Sequence, residues 1–331
     1  MSRIAVIGAG AWGTALSMVL TRGQRHQVHL WAHEREVCES VQNQRTNDLF
    51  LPGYSIPEDV SITNSLSSAL EDAEVVLTVM PSHHARRLYE QMRSSLPANA
   101  AIVSATKGIE NETYKRMTEV AAEVTRSTRI AALSGPTFAK EVARGDPTAL
   151  TVATQDPEVA AYIQREFSDP MFRVYTNDDV IGVELGGSLK NVIAIAAGIV
   201  EGLGFGHNTA AALITRGLAE ITRLAVACGA RRETLFGLSG MGDLVLTCTG
   251  GLSRNRTVGV ELGRGRNLRD IMAGMHGMVA EGVLTTDAAL CLAKRSSIEM
   301  PIKEQMHAIL HEEKSPKDAI RDLMSRPGKE E

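Results

Sequence analysis

The sequence predicts an α/β N-terminal domain built on a doubly wound parallel sheet, followed by a mostly α-helical C-terminal domain. Short apolar runs alternate with amphipathic stretches through the first half of the chain, and strand patterns nearly vanish after about Asp178. Such strand–helix alternation gives a parallel sheet covered by helices on both faces. The 331 residues also exceed what one hydrophobic core usually serves. We therefore expect two domains, residues 1–178 and 179–331.

The first half supplies seven predicted strands, of which the last two lie at the far edge of the sheet. They are Arg3–Ile7, Gln27–Trp31, Glu74–Val79, Ala101–Ala105, Ile130–Leu133, Ala149–Ala153 and Arg173–Tyr175. Helical spacing of apolar residues predicts the helices Trp12–Arg22 and Glu34–Gln44 between the early strands. The second half predicts only helices, joined by glycine-rich turns: Val183–Gly202, Thr209–Cys228, Thr257–Leu262, Val283–Lys294, Pro301–Leu310 and Pro316–Met324.

A glycine-rich loop, GAGAWG, spans Gly8–Gly13 between the first strand and the first helix. In a G-x-G-x-x-G loop the first glycine permits a tight turn, the second admits a pyrophosphate, and the third lets helix and strand pack closely. The helix start then offers free N–H groups to phosphate. Because of its position between strand and helix, we interpret this loop as a Rossmann-like dinucleotide site. The alternative is a glycine-rich turn that binds nothing.

The end of the second strand carries signals for both nicotinamide cofactors. An acidic residue there would bind the adenosine ribose of NAD, whereas basic groups would accommodate the additional phosphate of NADP. We expect His33 at the strand end, with Glu34 and Arg35 already entering the following helix. The sequence therefore slightly favours NADPH, with NAD also usable.

Two further strands end in residues suited to ligand binding. In an open parallel sheet, ligands bind beyond the carboxyl ends of the strands. Lys107 lies at such an end and is followed by Gly108, and the next strand ends before Gly135 and Thr137. We expect these groups to line one crevice, although Lys107 is alternatively a solvated loop lysine.

Lys190 interrupts a largely apolar helix that also contains the pair Gly186–Gly187. Glycines weaken a helix interior by roughly 1 kcal/mol each, so their presence suggests a cofactor or another backbone pressed against that surface. A lysine in such a helix either extends its ammonium group to solvent or is held in a buried site with a lowered pKa. The sequence leaves both alternatives open.

Two later segments offer further polar groups. Asp243 lies within the glycine-rich sequence LSGMGDL, and Ser253, Arg254 and Asn255 precede a predicted helix. Hydroxyl, guanidinium and amide donors at a helix start suit a phosphate group. The alternatives are a turn or capping role for Asp243, and a helix cap with a solvated basic turn for the other three.

Composition and motifs exclude several functions. The net charge of −4 gives no basic excess for binding nucleic acid. No apolar run approaches the roughly 20 residues that span a bilayer, and the stretch Asn191–Val200 is expected to be a buried helix. The four separated cysteines suggest free thiols in a reducing compartment. No hydrolase, zinc-peptidase or P-loop motif is present, and we predict no metal site. His83 and His84 are expected on the surface at a helix start.

At this point the chain resembles the NAD(P)-dependent glycerol-3-phosphate dehydrogenases of the bacterial type. The resemblance covers nearly the whole sequence, in the same order. The segments that carry it are GAGAWGTALS, SATKGIE, LSGPTFAKEVARG, ELGGSLKNVIAIAAGIVEGLGFGHNTAAALITRGL, LSGMGDLVLTCT and GLSRNRTVG.

The resemblance implies a Rossmann domain, a helical domain like that of 6-phosphogluconate dehydrogenase, and an active site between them. It implies reversible reduction of dihydroxyacetone phosphate to sn-glycerol 3-phosphate with NAD(P)H, for phospholipid synthesis, in a cytoplasmic homodimer without membrane insertion. By this similarity Lys190 is the catalytic acid/base. The implied substrate contacts are Lys107, Gly135, Thr137, Lys190, Asp243, Ser253, Arg254 and Asn255. The implied cofactor contacts are Gly8, Gly10, Ala11, Trp12, Gly13, His33, Lys107, Ala139, Arg254, Val279 and Glu281.

One departure from the family pattern is visible. Ala11 stands where many relatives have serine, so a side-chain bond to cofactor phosphate is lost while the loop N–H groups remain. Two other functions compete with the one implied. A dehydrogenase for a β-hydroxyacid or imine would need no Ser-Arg-Asn phosphate site. A non-catalytic NAD(P) sensor would keep the glycine loop but need neither Lys107 nor Lys190.

Overall fold

The structure, a computed structural model, describes residues 2–275, 279–328 and 330. The chain divides into two compact units. The first comprises Met1–Glu110 and Lys115–Glu184, and the second comprises Asn111–Tyr114 and Leu185–Glu331.

The first unit combines one large sheet, a small hairpin and seven α-helices among its described residues. Its strands are β1 (Ser2–Ile7), β2 (His26–Trp31), β3 (Thr46–Asn47), β4 (Leu51–Ser55), β5 (Val60–Thr63), β6 (Val75–Thr78), β7 (Ala101–Ser104), β8 (Ile130–Ser134), β9 (Thr148–Ala153) and β10 (Phe172–Asn177). Its helices are α1 (Ala11–Leu20), α2 (Arg35–Gln44), α3 (Leu66–Leu70), α4 (Ala85–Met92), α5 (Met117–Thr125), α6 (Ala139–Arg144) and α7 (Pro157–Phe167).

The large sheet has eight strands in the order β10-β9-β8-β7-β6-β1-β2-β5. The predicted doubly wound sheet is confirmed, and β9 and β10 lie at its edge as expected. One pairing departs from the parallel arrangement, because β8 and β9 pair antiparallel. The intervening helix α6 has only six residues, about 9 Å at 1.5 Å per residue, too short to return the chain across the sheet. Strand β5 and the β3–β4 hairpin were not predicted.

Strand β1 shows why the sheet needs helices on both faces. Successive side chains of a strand point to opposite faces. Ile4 and Val6 pack in one buried cluster with residues of α1 and α7. Ala5 and Ile7 pack in another with residues of α3, α4 and α5. The continuous apolar run of β1 therefore serves two cores, one on each side of the sheet.

The second unit is helical throughout its described part, as predicted. Its helices are α8 (Val180–Gly202, assigned to this unit from Leu185), α9 (His207–Ala227), α10 (Arg232–Leu235), α11 (Asp243–Thr249), α12 (Arg254–Gly263), α13 (Leu268–Ala273), α14 (Glu281–Arg295), α15 (Pro301–His311) and α16 (Pro316–Met324). A π-helical turn, Leu238–Gly242, leads into α11. Helices α10, α11 and α13 were not predicted, and α12 begins three residues before the predicted Thr257.

Helices α8 and α12 cross with their backbones in contact. A Cβ atom on Gly198 would lie 2.0 Å from the Arg256 carbonyl oxygen, and one on Gly259 would lie 1.9 Å from that of Ile195. Both distances are far below a van der Waals contact, so only glycine fits. This crossing fixes the start of α12 relative to the helix that carries Lys190.

Helix α8 begins three residues before the predicted helix Val183–Gly202 and contains the stretch Asn191–Val200, which is buried as expected. Among the described residues it is the single helix long and apolar enough to cross a membrane by length and composition, and 89% of its most apolar window is buried within the protein. The bent pair Arg232–Thr249 and Arg254–Gly263 passes the same test jointly. Glu184 and Lys190 interrupt the apolar run of α8, so no uninterrupted apolar run of spanning length is visible in the sequence.

Candidate active site

The glycine loop joins β1 to α1 through backbone that only glycine can adopt. Gly8 has φ +121°, and a Cβ atom on Gly13 would lie 1.9 Å from the Gly8 carbonyl oxygen. Gly10 precedes the first residue of α1, and a Cβ atom there would meet nothing described within 4 Å. The loop therefore leaves open space directly before a helix start, where N–H groups and the helix dipole favour an anion.

Asn47 holds this loop from the β3–β4 hairpin. Its side-chain Nδ2 donates to the Ala9 carbonyl oxygen and to Thr14 Oγ1, both at 2.8 Å, and its side chain is buried. Sequence reasoning missed Asn47, since the hairpin that carries it was itself unpredicted. A buried amide with two loop partners fixes the loop geometry before any ligand arrives.

The other predicted nucleotide contacts of the first unit lie near strand and helix ends. Ala11 and Trp12 open α1, and the buried Trp12 Nε1 has no hydrogen-bond partner within the described residues. His33 is exposed two residues beyond β2, with its ring 6.0 Å from that of Trp31. Ala139 is the first residue of α6. The structure thus gives His33 a position open to solvent at the strand end, as predicted.

Lys107, Gly135 and Thr137 meet at the ends of β7 and β8. Lys107 Nζ donates to the Gly135 carbonyl oxygen at 2.8 Å and to Thr137 Oγ1 at 3.1 Å. A Cβ atom on Gly135 would lie 2.7 Å from Leu150 Cβ, so a larger residue would displace β9. The expectation that these three residues share one location is confirmed. The alternative of a solvated loop lysine is excluded, because Lys107 is half-buried and hydrogen-bonded.

Lys190 is buried in the second unit and paired with Asp243. Its Nζ lies 2.9 Å from Asp243 Oδ1, and the side chains are 6% and 2% exposed. Nζ also donates to Thr247 Oγ1 at 2.5 Å, and that hydroxyl donates to the Asp243 carbonyl oxygen at 2.6 Å. Of the two alternatives for Lys190, the structure selects the buried site. Asp243 opens α11, but its carboxylate faces the ammonium rather than only capping the helix.

The neighbouring Cys248 thiol does not add a charge to the pair of Lys190 and Asp243. Burial raises the pKa of Cys248 to about 12, against the opposing effect of the Lys190 charge. A thiol with that pKa stays protonated near neutral pH, so it is a poor nucleophile. Cys248 is therefore not a candidate nucleophile beside Lys190.

Residues at the start of α12 combine capping with exposed donors. Ser253 is buried, and its Oγ accepts from the Arg256 N–H at 3.2 Å, so the expected helix-cap alternative is present. Arg254 is the first helical residue and is exposed. Asn255 Nδ2 donates to Asn191 Oδ1 at 3.1 Å, while its Oδ1 accepts from the Gly282 N–H at 3.0 Å.

This asparagine bridge also fixes the start of α14. Glu281 is the first residue of α14 and Val279 lies just before it. A Cβ atom on Gly282 would lie 2.6 Å from the Asn191 carbonyl oxygen, so α14 begins in contact with α8. The sequence prediction missed Asn191, which directly follows Lys190, and Thr247, which lies four residues after Asp243.

Gly186, the first of the paired glycines of α8, has a structural explanation. A Cβ atom on Gly186 would lie 2.8 Å from the Ser239 carbonyl oxygen and 3.1 Å from Gly240 Cα. Of the two causes considered, a ligand or another backbone, the π-helical turn before α11 supplies the second. This contact places Asp243, at the end of that turn, beside the helix of Lys190.

A nucleotide-binding α/β unit followed by a helical unit with a buried lysine–aspartate pair defines the class of two-unit nicotinamide-dependent dehydrogenases. Family profiles narrow the class. The N-terminal profile of NAD-dependent glycerol-3-phosphate dehydrogenase matches residues 3–160, and the C-terminal profile matches residues 179–321. The chain belongs to the NAD-dependent glycerol-3-phosphate dehydrogenase family.

Individual relatives agree with this assignment. A glycerol-3-phosphate dehydrogenase (NAD(P)+) of Koribacter versatilis is 68% identical over 99% of this chain and 98% of its own length. The crystal structure of glycerol-3-phosphate dehydrogenase from Coxiella burnetii is 41% identical, with a TM-score of 0.94 over 98% of this chain and 99% of that one. The yeast enzyme is 26% identical, with a TM-score of 0.83 over 98% of this chain and 99% of that one.

Proposed function

We propose that the chain reversibly reduces dihydroxyacetone phosphate to sn-glycerol 3-phosphate with NAD(P)H, and thereby supplies glycerophospholipid synthesis. The observation that carries the proposal is the buried pair of Lys190 and Asp243 in a chain of this family. A dehydrogenase that reduces a ketone needs one cation that stabilises the developing alkoxide and gives it a proton.

Lys190 is the proposed proton donor. Its ammonium stabilises negative charge on the substrate oxygen and transfers its proton there, and it takes the proton back in the reverse reaction. Asp243, at 2.9 Å, holds and orients the lysine ammonium. Thr247 accepts one N–H of the ammonium and so helps to hold it in place.

The residues of the first unit fit a nicotinamide dinucleotide. The open space beside Gly10, at the start of α1, is of the kind that the pyrophosphate needs. We propose that the loop residues from Gly8 to Gly13 hold the phosphates, with His33 near the adenosine ribose. The remaining proposed cofactor contacts are Ala139, Val279, Glu281, Lys107 and Arg254. When bound, the cofactor supplies the hydride.

The substrate phosphate is proposed to bind Arg254 and Asn255 with Ser253. Arg254 opens a helix, a position at which its guanidinium suits a phosphate oxygen. Asn255 is held by Asn191 and Gly282, so its amide is fixed in advance. Lys107, with Gly135 and Thr137, is proposed to contact the carbonyl or phosphate end.

Steady-state oxidation of NADPH and of NADH tests the reaction. Each reduced cofactor is mixed with the enzyme and dihydroxyacetone phosphate, with unphosphorylated dihydroxyacetone as the control, and the loss of nicotinamide absorbance is followed. We expect phosphate-dependent oxidation, with NADPH slightly favoured. Equal activity on the unphosphorylated ketone would indicate another dehydrogenase, and no oxidation by folded, cofactor-bound protein would indicate a sensor.

We propose that the chain acts as a homodimer. We also propose that it is cytoplasmic and does not insert into a membrane. Its functional domains are proposed to divide between residues 178 and 179. Four free cysteines are consistent with a reducing compartment. Phe236 and Leu252 are 48% and 43% exposed, which provides apolar surface for a second copy. Light scattering after size-exclusion chromatography tests the dimer, and a monomer at micromolar concentration would exclude it.

A further inference from the structure

Three side chains with metal-ligating atoms meet on the surface of the second unit. Asp287 lies on α14, and His307 and His311 lie on α15. His307 Nδ1 is 2.9 Å from Asp287 Oδ1, and His311 Nε2 is 3.5 Å from the same oxygen. One ligand atom from each of the three residues lies within 4.8 Å of the other two.

The spacing of these atoms fits a single ion. Around a tetrahedral ion with bonds of 2.0–2.1 Å, neighbouring ligand atoms are ~3.3 Å apart, and the two measured separations lie on either side of that distance. Histidines at positions i and i+4 of a helix face the same side, which is why both rings reach one carboxylate. We propose that Asp287, His307 and His311 bind a divalent transition-metal ion.

A carboxylate behind one histidine supports this assignment. A histidine that binds metal through one ring nitrogen usually directs the other at a carboxylate or carbonyl, which fixes its tautomer. His307 offers Nδ1 to the site, and its Nε2 lies 3.5 Å from Glu312 Oε1. Glu312 therefore orients His307 without being a ligand itself.

The donor set determines which ions fit. Two imidazole nitrogens and one carboxylate suit Zn²⁺, Ni²⁺ or Co²⁺, whereas Ca²⁺ and Mg²⁺ prefer oxygen ligands alone. The three side chains are between 31% and 46% exposed, so water can occupy the remaining coordination positions. The ion would connect α14 to α15 and shares no residue with the proposed catalytic group. Sequence analysis predicted no metal site, because Asp287 is 20 residues from His307 along the chain.

Isothermal titration of the metal-free, full-length chain, carrying no histidine tag, with Zn²⁺ and with Ni²⁺ tests the site. We expect one equivalent to bind wild-type protein, and binding at this site to be lost in His307→Ala and in His311→Ala. Glu312→Gln should weaken binding about tenfold, as expected for a residue that orients a ligand. The absorption spectrum of bound Co²⁺ should report nitrogen and oxygen ligands in wild type and should disappear with either histidine.

His207→Ala is the matched control, because His207 is an exposed histidine at the start of another helix of the same unit. It should bind as wild type does. All variants are at partly exposed positions, and circular dichroism verifies that they fold. Absence of binding to wild type, or equal binding to wild type and the His307→Ala/His311→Ala double variant, would overturn the proposal and leave a hydrogen-bonded ion cluster only.

Discussion

The candidate sites of the two units consist of different chemical groups, backbone in the first unit and side chains in the second. In the first, the cofactor loop consists of backbone, and its shape depends on glycines such as Gly8 and Gly13 whose missing side chains leave room. In the second, the proposed chemistry rests on the buried charged side chains of Lys190 and Asp243, which lie on helices in contact at glycines. A substitution in the first unit should therefore act through shape. One in the second should act through charge, and the two effects are separable by experiment.

The largest effect is expected for Lys190→Ala. Loss of the proton donor should lower kcat with dihydroxyacetone phosphate by about 10³-fold or more, while NADPH affinity, measured by fluorescence titration, stays nearly unchanged. The variant should also be less stable, by about 3–5 kcal/mol, because Asp243 is left buried without its counter-charge.

A double variant separates the loss of activity from the loss of stability. Lys190→Met/Asp243→Asn removes both charges, so its stability in urea should recover while its activity does not. Lys303→Met serves as the control, since it removes another buried lysine of the same unit and should leave kcat unchanged. A wild-type kcat in Lys190→Ala would refute the assignment of the proton donor.

The second prediction compares two glycines of one loop. In Gly13→Ala the new Cβ would overlap the Gly8 carbonyl oxygen, so the loop must distort, with a stability cost of about 1–3 kcal/mol or more. In Gly10→Ala the Cβ meets nothing in the protein, and stability should change by about 1 kcal/mol or less. Both should weaken NADPH binding, by roughly 10-fold or more.

Thermal unfolding and NADPH titration of both variants check this pair. Gly10→Ala is the more informative variant, because its fold should be intact. A loss of NADPH affinity in it would show that NADPH occupies the space beside Gly10. If Gly10→Ala bound NADPH as tightly as wild type, the pyrophosphate would lie elsewhere and the first unit would not act through the shape of this loop.

The sequence predicted elements with a periodic pattern and missed those that depend on distant partners. Strand β1 and the loop after it were predicted from the alternation of strands and helices and from the spacing of the glycines. Lys107 was selected because it lies at a strand end, and Lys190 because it interrupts an apolar helix. Thr247 was missed because its partner Lys190 is 57 residues away. The crossing at Gly198 and Gly259 was missed for the same reason. A single sequence carries no signal for which helices touch.

The last comparison concerns a second buried lysine, Lys303, which unlike Lys190 has no ion pair among the described residues. Lys303 is fully buried, and its Nζ has no hydrogen-bond partner within the described residues. Burial lowers the pKa of Lys303 to about 8, although the charge of Glu220 opposes that change. An unfolded lysine titrates near 10.4. Between these two pH values the unfolded chain holds a proton that the folded chain has released, so this group's contribution to stability rises with pH there.

Replacing this lysine should therefore stabilise the protein, in contrast to replacing Lys190. Lys303→Met/Glu220→Gln removes the buried charge and its neighbour, while the glutamine oxygen can still accept from the Ile302 N–H. The gain over wild type should be largest near neutral pH, on the order of 3 kcal/mol at most, and should shrink as pH rises from about 8 to about 10. Urea unfolding of both proteins across that range measures the difference. A constant difference would show that Lys303 does not change its charge on unfolding in this range. Lys190 and Lys303 would then differ only in the side chains that they contact.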